Sequence, residues 1–172
     1  SYTGEVINVG DQGDWTYPAY MKAGIVDNTP TPANESIPLR GGNSIVNTIT
    51  FSQPVLNPIF AIQSLGSGGD LAIYEFSSPF TLLNQGGGHW GGTATSLSQV
   101  GDDLYGREGN GILQFTGTYS SLSWTVPDGE NYHMFTVGVV GTPNATVPVP
   151  AAAWLLGPGL VGLIGLKRRF TN

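Results

Sequence analysis

Glycine and proline interrupt this chain so often that few stretches are long enough for a helix. The 172 residues include 26 glycines and 12 prolines, and only 10% of them are charged. This composition disfavours long helices and suits short strands joined by tight turns. Hydrophobic residues make up 40% of the chain and aromatic residues 10%, which is enough to drive collapse into a core. The length predicts one domain with at most a short appendage.

A period of two in hydrophobicity marks the clearest strand, residues 121–126. Leu122, Trp124 and Val126 share one face there, and hydroxyl side chains occupy the other, as in a half-buried antiparallel strand. About ten short segments of this kind, without a convincing helix, predict an all-β fold. We expect a jelly-roll-like antiparallel β-sandwich over residues 1–140.

Turn-forming pairs predict where strands end. The pairs 53–54 (Gln-Pro) and 110–111 (Asn-Gly) are typical of turns and are expected between strands. Residues 55–63 form one candidate strand. Pro58 lies inside it and predicts an edge position or a bulge, because proline cannot donate a ladder hydrogen bond.

The charges are segregated along the chain. All twelve acidic residues lie between Glu5 and Glu130, and only three basic residues share that stretch, which gives it a net charge of −9 (three positive against twelve negative). An acidic body argues against nucleic acid as a partner, since phosphate binding needs clustered Lys and Arg. Cysteine is absent, so the fold must be held by its β-core, by a bound ion or by assembly with other copies.

The composition changes after residue 140. Residues 141–150 are predicted to be a proline-rich linker, and residues 151–169 a hydrophobic helix with a basic end. Residues 151–166 carry no charge and span about 24 Å as a helix, close to the lower limit for crossing a membrane. The basic residues that follow are typical of a cytoplasmic stop: Lys167, Arg168 and Arg169. The first residues show neither the basic nor the apolar region of an export leader, and we expect a mature chain from which such a leader has been removed.

The tail resembles the PEP-CTERM sorting signal in its Val-Pro-x-Pro-Ala variant. The sorting motif is Val147, Pro148, Val149, Pro150 and Ala151, with Val149 where glutamate is usual. The apolar segment after it contains Trp154, Leu155, Leu156, Gly157, Gly159, Leu160, Gly162 and Leu163. The resemblance implies export, recognition by an exosortase, contact with the membrane through the tail, and a location at the cell surface or in the extracellular matrix of a Gram-negative bacterium. The body is similar to uncharacterised proteins with the same tail, which brings no known activity.

A glycine-rich segment, residues 86–91, matches the pattern G-x-G-x-x-G. A dinucleotide site needs a strand before this pattern and a helix after it, whereas a strand former follows here, so we expect a loop between strands. His89 and Trp90 in this loop are candidates for a glycan platform together with Tyr105. The alternative is that Trp90 packs on a sheet edge.

No other pattern points strongly to chemistry. Glu75 and Glu108 are the carboxylates to test for a glycosidase, but nothing in the sequence brings them together, and we expect no enzyme. His133 is in phase with Phe135 and Val137 and is expected at the edge of the core. Four aspartates are candidate oxygen ligands for calcium, with solvated turns as the alternative: Asp11, Asp14, Asp102 and Asp103.

The sequence therefore favours a structural protein of the cell surface or matrix that self-assembles into a homopolymer or filament. We expect the hydrophobic helix to pack against copies of itself, its glycines allowing close approach. The alternative function is a glycan-binding β-sandwich that retains exopolysaccharide.

Overall fold

The computed structural model describes residues 1–8, 13–30 and 36–139. Within them the protein is all-β, with a single short 3₁₀ turn, Pro18–Tyr20. Eleven strands build two antiparallel sheets. The strands are β1 (Tyr2–Thr3), β2 (Ile37–Leu39), β3 (Asn47–Leu56), β4 (Ile59–Leu65), β5 (Ala72–Phe76), β6 (Thr81–Gly86), β7 (Leu97–Val100), β8 (Asp103–Gly106), β9 (Gly109–Gln114), β10 (Thr118–Thr125) and β11 (His133–Gly138).

The strands pair in a nested order. The six-stranded sheet runs β1-β3-β10-β5-β8-β7, and the five-stranded sheet runs β2-β11-β4-β9-β6. The chain therefore resembles one long hairpin that is folded over so that its successive strand pairs lie alternately in the two sheets. These pairs are β2–β11, β3–β10, β4–β9 and β5–β8. Most neighbours in a sheet are consequently distant in sequence.

The main core lies between the two sheets and is rich in aromatic rings. Trp124 is 1% exposed, and its ring centroid lies 4.8 Å from that of Phe135 and 5.1 Å from that of Phe60. Leu122 and Val126 are buried beside it. The face predicted for residues 121–126 is thus confirmed.

A second, smaller core covers the outer face of the five-stranded sheet. Residues 13–30 cross that face and bury Trp15 and Tyr20 against Ile59 and Ala61 of β4. All seven residues of β4 are consequently buried, because both of its faces are covered. The prediction of an edge strand or bulge from Pro58 was wrong, since Pro58 lies in the turn before β4, and β4 is central in its sheet.

Two predicted turns were also wrong. Pro54 lies within β3, where four residues of that strand, 51–54, face the single residue Ser120 of β10 in an irregular register. A proline is accommodated there because its missing donor falls in the irregularity. Asn110 and Gly111 lie within β9, where both are buried. Their sequence is typical of a turn, but the pairing of β9 with two neighbours overrides that local preference.

Glutamine side chains join the two sheets along one margin. The Gln85 amide donates to the carbonyl of Leu97 at 3.0 Å and accepts from its N–H at 2.7 Å. In return Gln99 donates to the carbonyl of Phe80 at 2.8 Å. This glutamine seam connects β6, the edge of the five-stranded sheet, to β7, the edge of the six-stranded sheet. At the opposite margin the N–H of Ile7 donates to Pro38 of β2 at 3.1 Å.

The predicted linker (141–150), the sorting motif (147–151) and the hydrophobic helix (151–169) lie outside the described residues. Among the residues described, no helix has the length and apolar character needed to span a membrane.

Candidate functional site

The glycine-rich segment folds as a tight turn that projects an aromatic side chain. Gly88 and Gly91 exchange two backbone hydrogen bonds, at 2.7 and 3.2 Å, and His89 and Trp90 form the tip between them. The segment connects β6 to β7 without a helix. The interpretation of this segment as a loop between strands is therefore confirmed.

Trp90 lies largely exposed against a second aromatic ring. Its side chain is 51% exposed, and its ring meets that of Tyr132 edge-on, with centroids 5.6 Å apart and an interplanar angle of 70°. The His89 ring also contacts Trp90, with centroids 4.8 Å apart and an interplanar angle of 76°. The His89 imidazole is itself held 3.2 Å from the carboxylate of Asp14. Trp90 is therefore an exposed ring held in place by its neighbours.

Beside these rings lies an open cleft of about 490 Å³, which we call the Trp90 cleft. It is lined by Ser64, Gly66, Ser67, Trp90, Glu108, Glu130, Asn131 and Tyr132. The lining combines two aromatic rings with two carboxylates, hydroxyls and an amide. It draws on the β4–β5 turn, the glycine-rich loop, the β8–β9 turn and the approach to β11.

A β-bulge places two of the lining residues. The register of β4 against β9 shifts between Ile62 and Leu65. Ser64, in the bulge, has φ 59°, and Glu108, in the facing turn, has φ 52°. Non-glycine residues adopt this left-handed conformation only when their surroundings hold them there, and such positions concentrate at functional sites. The Ser64 hydroxyl donates to the Glu108 carboxylate at 2.7 Å and so links the two residues.

Asn110, a buried residue of β9, holds the walls of the cleft together. Its Oδ1 accepts from the N–H of Ser64 at 2.9 Å and from the Tyr20 hydroxyl at 3.1 Å. Its Nδ2 donates to the carbonyls of Glu108 at 2.8 Å and Gly91 at 3.1 Å. An asparagine amide has two acceptor and two donor positions, and all four are used here.

The glycine-rich loop needs its glycines because it packs on Asn110. A Cβ added at Gly88 would lie 2.4 Å from the Asn110 side-chain oxygen, and one added at Gly92 would lie 2.3 Å from the Glu108 carbonyl. Gly92 also has φ +87°, which favours glycine. Close packing of the loop against Asn110 and the Glu108 carbonyl therefore accounts for Gly88 and Gly92.

The two carboxylates of the cleft differ in their environment. Glu108 is partly exposed and accepts from Ser64, as described above. The Glu130 side chain is 2% exposed and accepts from the N–H of Gly66 at 2.6 Å. Its Oε1 also lies 2.6 Å from Nδ1 of buried His133, although the ring N–H is poorly aligned for a hydrogen bond. Burial, and then the charge of Glu130, raise the pKa of Tyr74 well above its usual value.

His133 occupies the core itself and not its edge, with no exposed surface. Its ring packs edge-on against Tyr74 at 5.3 Å. Its phase with Phe135 was predicted, whereas its contact with Glu130 was not.

The structure separates several of the predicted site residues. Tyr105 lies on β8 opposite Ile73 and does not line the Trp90 cleft, so it is separated from His89 and Trp90; the rings in contact with Trp90 are those of His89 and Tyr132. Glu75 accepts from Thr125 at 2.8 Å on a different part of the molecule from Glu108.

The candidate calcium ligands do not form a cluster among the described residues. Asp14 contacts Thr16 and His89, and the hydrogen bond from Thr16, followed by that from His89, lowers the pKa of its carboxyl. Asp102 and Asp103 lie at the β7–β8 turn, and Asp11 lies outside the described residues. In the parts of the chain that the structure describes, no group of three or more His, Asp or Glu side chains is arranged to hold a metal ion.

Sequence reasoning missed Asn110, Glu130 and Tyr132 as site residues. Tyr132 lies 42 positions from Trp90, and only the pairing of β11 with β4 brings it to the cleft. The one local signal was the pair Asn110-Gly111, which is unusual inside a strand and marks the bulge opposite it.

Comparison with known proteins finds no match among family models, curated proteins or solved structures.

Proposed function

We propose that the described domain is a glycan-binding β-sandwich whose ligand lies in the Trp90 cleft. The observation that carries the proposal is the exposed ring of Trp90, braced by Tyr132 above a lining of carboxylates, hydroxyls and an amide. A large aromatic side chain that stays half exposed at the tip of a braced turn provides a flat apolar surface for a ligand. The polar lining supplies acceptors and donors for sugar hydroxyls.

The arrangement fits a sugar better than a compact apolar ligand. Binding sites for small apolar molecules bury most of the ligand surface, whereas the Trp90 cleft is open. A sugar ring has an apolar face of C–H groups and a rim of hydroxyls. It therefore matches one exposed indole beside Glu108, Ser67 and Asn131.

The proposal extends to architecture and location. The nested pairs β2–β11, β3–β10, β4–β9 and β5–β8 support a jelly-roll-like sandwich, because that fold is a long hairpin rolled into two sheets. The resemblance of residues 147–169 to a sorting signal supports export to the cell surface, where the cleft would retain exopolysaccharide. A self-assembling structural protein stays a prediction, because it depends on residues 151–166, outside the described residues.

Calorimetry with the full-length chain tests the proposal. The titrants are neutral oligosaccharides, such as glucose and N-acetylglucosamine hexamers, in a detergent whose headgroup contains no sugar. We expect binding, and we expect Trp90→Ala to weaken it at least ten-fold. Truncating a central contact tryptophan commonly costs about 2 kcal/mol, and each 1.4 kcal/mol is a factor of ten.

Tyr105→Ala is the matched control, because it removes an aromatic ring outside the cleft and should leave the affinity unchanged. Equal losses in the two variants, or no binding of any oligosaccharide by the parent chain, would refute the proposal. Release of new reducing ends during the titration would instead identify Glu108 and Glu130 as candidates for hydrolysis, and the site as an enzyme's.

A further inference from the structure

The Trp90 cleft has a one-sided charge. Its lining includes Glu108 and Glu130 but no Lys, Arg or His among the described residues. The nearest basic residue in sequence is Arg107, and its guanidinium donates to the carbonyl of Gly69 at 3.1 Å, outside the lining. Nothing basic in the lining therefore offsets the carboxylates.

The two carboxylates contribute unequally to that charge. Glu130 has His133 beside it, 2.6 Å away, so its charge has a potential counter-ion. Among the residues that the structure describes, Glu108 forms no ion pair with a basic side chain. One of its oxygens accepts from the Ser64 hydroxyl, and the other has no hydrogen bond within the described residues. Glu108 is thus the carboxylate positioned to meet a cation in the cleft.

Trp90 adds a second attraction for a cation. The face of an indole ring attracts an ammonium group within about 6 Å of its centre, and tryptophan is the strongest aromatic in this respect. An acidic sugar is disfavoured, because its carboxylate would approach Glu108 and Glu130 with no basic side chain in the described lining to offset the repulsion.

We infer that the Trp90 cleft selects glycans that carry free amino groups, such as de-N-acetylated hexosamine polymers, over neutral and uronic acid glycans. This inference rests on the proposed function and names its ligand class. Glu108 is then a specificity-determining residue: its free oxygen pairs with the ammonium group, while Trp90 stacks on the same or a neighbouring sugar ring.

Three hexamers test the inference on the full-length chain at pH 6, where the amine of glucosamine is largely protonated. The three are the hexamers of glucosamine, N-acetylglucosamine and galacturonate. We expect glucosamine to bind at least ten-fold tighter than N-acetylglucosamine at 50 mM salt, and galacturonate to bind weakest. Raising the salt to 500 mM should reduce that preference to less than three-fold, because screening weakens a partly exposed ion pair.

Glu108→Gln is the decisive variant, since its amide oxygen can still accept from Ser64. It should reduce the ratio of the affinities for glucosamine and N-acetylglucosamine from at least ten-fold to less than three-fold. Glu75→Gln, which removes a carboxylate outside the cleft, should leave the preference intact. If neutral and uronic oligomers bind as well as glucosamine and Trp90→Ala weakens all three, the inference fails and the proposed function survives. If Trp90→Ala has no effect on any oligomer, the proposed function fails as well.

Discussion

Replacing Asn110 by aspartate changes one atom of a buried side chain and tests whether it holds the cleft together. The substitution keeps the oxygen that accepts from Ser64 and Tyr20. It replaces the nitrogen that donates to Gly91 and Glu108 with a second oxygen, which then faces two carbonyl oxygens. Two hydrogen bonds are therefore lost; the Glu108 carbonyl loses its donor, whereas the Gly91 carbonyl still accepts from the N–H of Gly88.

The size of the effect follows from burial. Asn110 is 1% exposed. A buried hydrogen bond contributes about 1 kcal/mol net, and leaving its partner unsatisfied costs about 1–3 kcal/mol. Two lost hydrogen bonds and one unsatisfied carbonyl give an expected loss of about 3 kcal/mol in the free energy of unfolding at pH 7. The substitution Asn43→Asp, at a half-buried position, removes only one hydrogen bond, to the Gly41 carbonyl, and should cost about 1 kcal/mol or less.

Equilibrium unfolding in urea, followed by tryptophan fluorescence, measures both losses. It also gives a pH signature. A carboxyl introduced between carbonyl oxygens has its pKa raised in the folded state, so the variant recovers stability as the pH falls and the group regains a proton to donate. The difference between Asn110→Asp and the parent should therefore be smaller at pH 5 than at pH 7. A loss below about 1 kcal/mol at pH 7, or one that grows on acidification, would refute the role of Asn110.

Three further predictions concern stability. Trp124→Ala should cost about 3–5 kcal/mol in urea unfolding, because it empties the centre of the aromatic core, whereas Trp124→Phe should cost less. Burial raises the pKa of Tyr20 and Tyr74 above 10.0. Their contribution to the free energy of unfolding is therefore complete below about pH 10 and is lost as the pH rises above it. In alkaline unfolding titrations the two together should remove up to about 2.7 kcal/mol per pH unit. Gln85→Met should cost about 1–3 kcal/mol, since it breaks both hydrogen bonds to Leu97.

Each of these three has a result that would contradict it. A loss below about 1 kcal/mol for Trp124→Ala would mean that the core tolerates its absence. Ionisation of both tyrosines, seen in ultraviolet absorbance near 295 nm without loss of folded structure, would show that neither is protected. Gln53→Met, at an exposed position of β3, is the control for Gln85→Met. Equal losses in the free energy of unfolding for the two variants would show that the glutamine seam does not stabilise the fold.

The sequence predicted the parts of the fold that depend on local periodicity. The alternation of Leu122, Trp124 and Val126 identified the inner face of β10, and the density of glycine and proline indicated short strands. β2 and β8 were not recognised as strands, because three or four residues give too little alternation to detect. Pro54 and Asn110 were assigned to turns, since their local preference is overridden by pairing with strands far away in sequence.

The candidate site was predictable only in part, for the same physical reason. His89 and Trp90 were identified because a glycine-rich loop leaves its few large side chains exposed. Their true companions, Tyr132 and Glu130, reach the cleft only through the pairing of β11 with β4. The proximity of Glu108 to Ser64 likewise depends on a bulge, which requires the register of β4 against β9 to be known.

The glutamine seam has a consequence for a protein that is crowded with its own copies. An edge strand with free N–H and C=O groups is a template for another chain and leads to aggregation. Gln85 hydrogen-bonds to both backbone groups of Leu97, so these groups are already engaged on this margin. A strand from another copy that pairs at Leu97 would therefore first have to break both hydrogen bonds to Gln85.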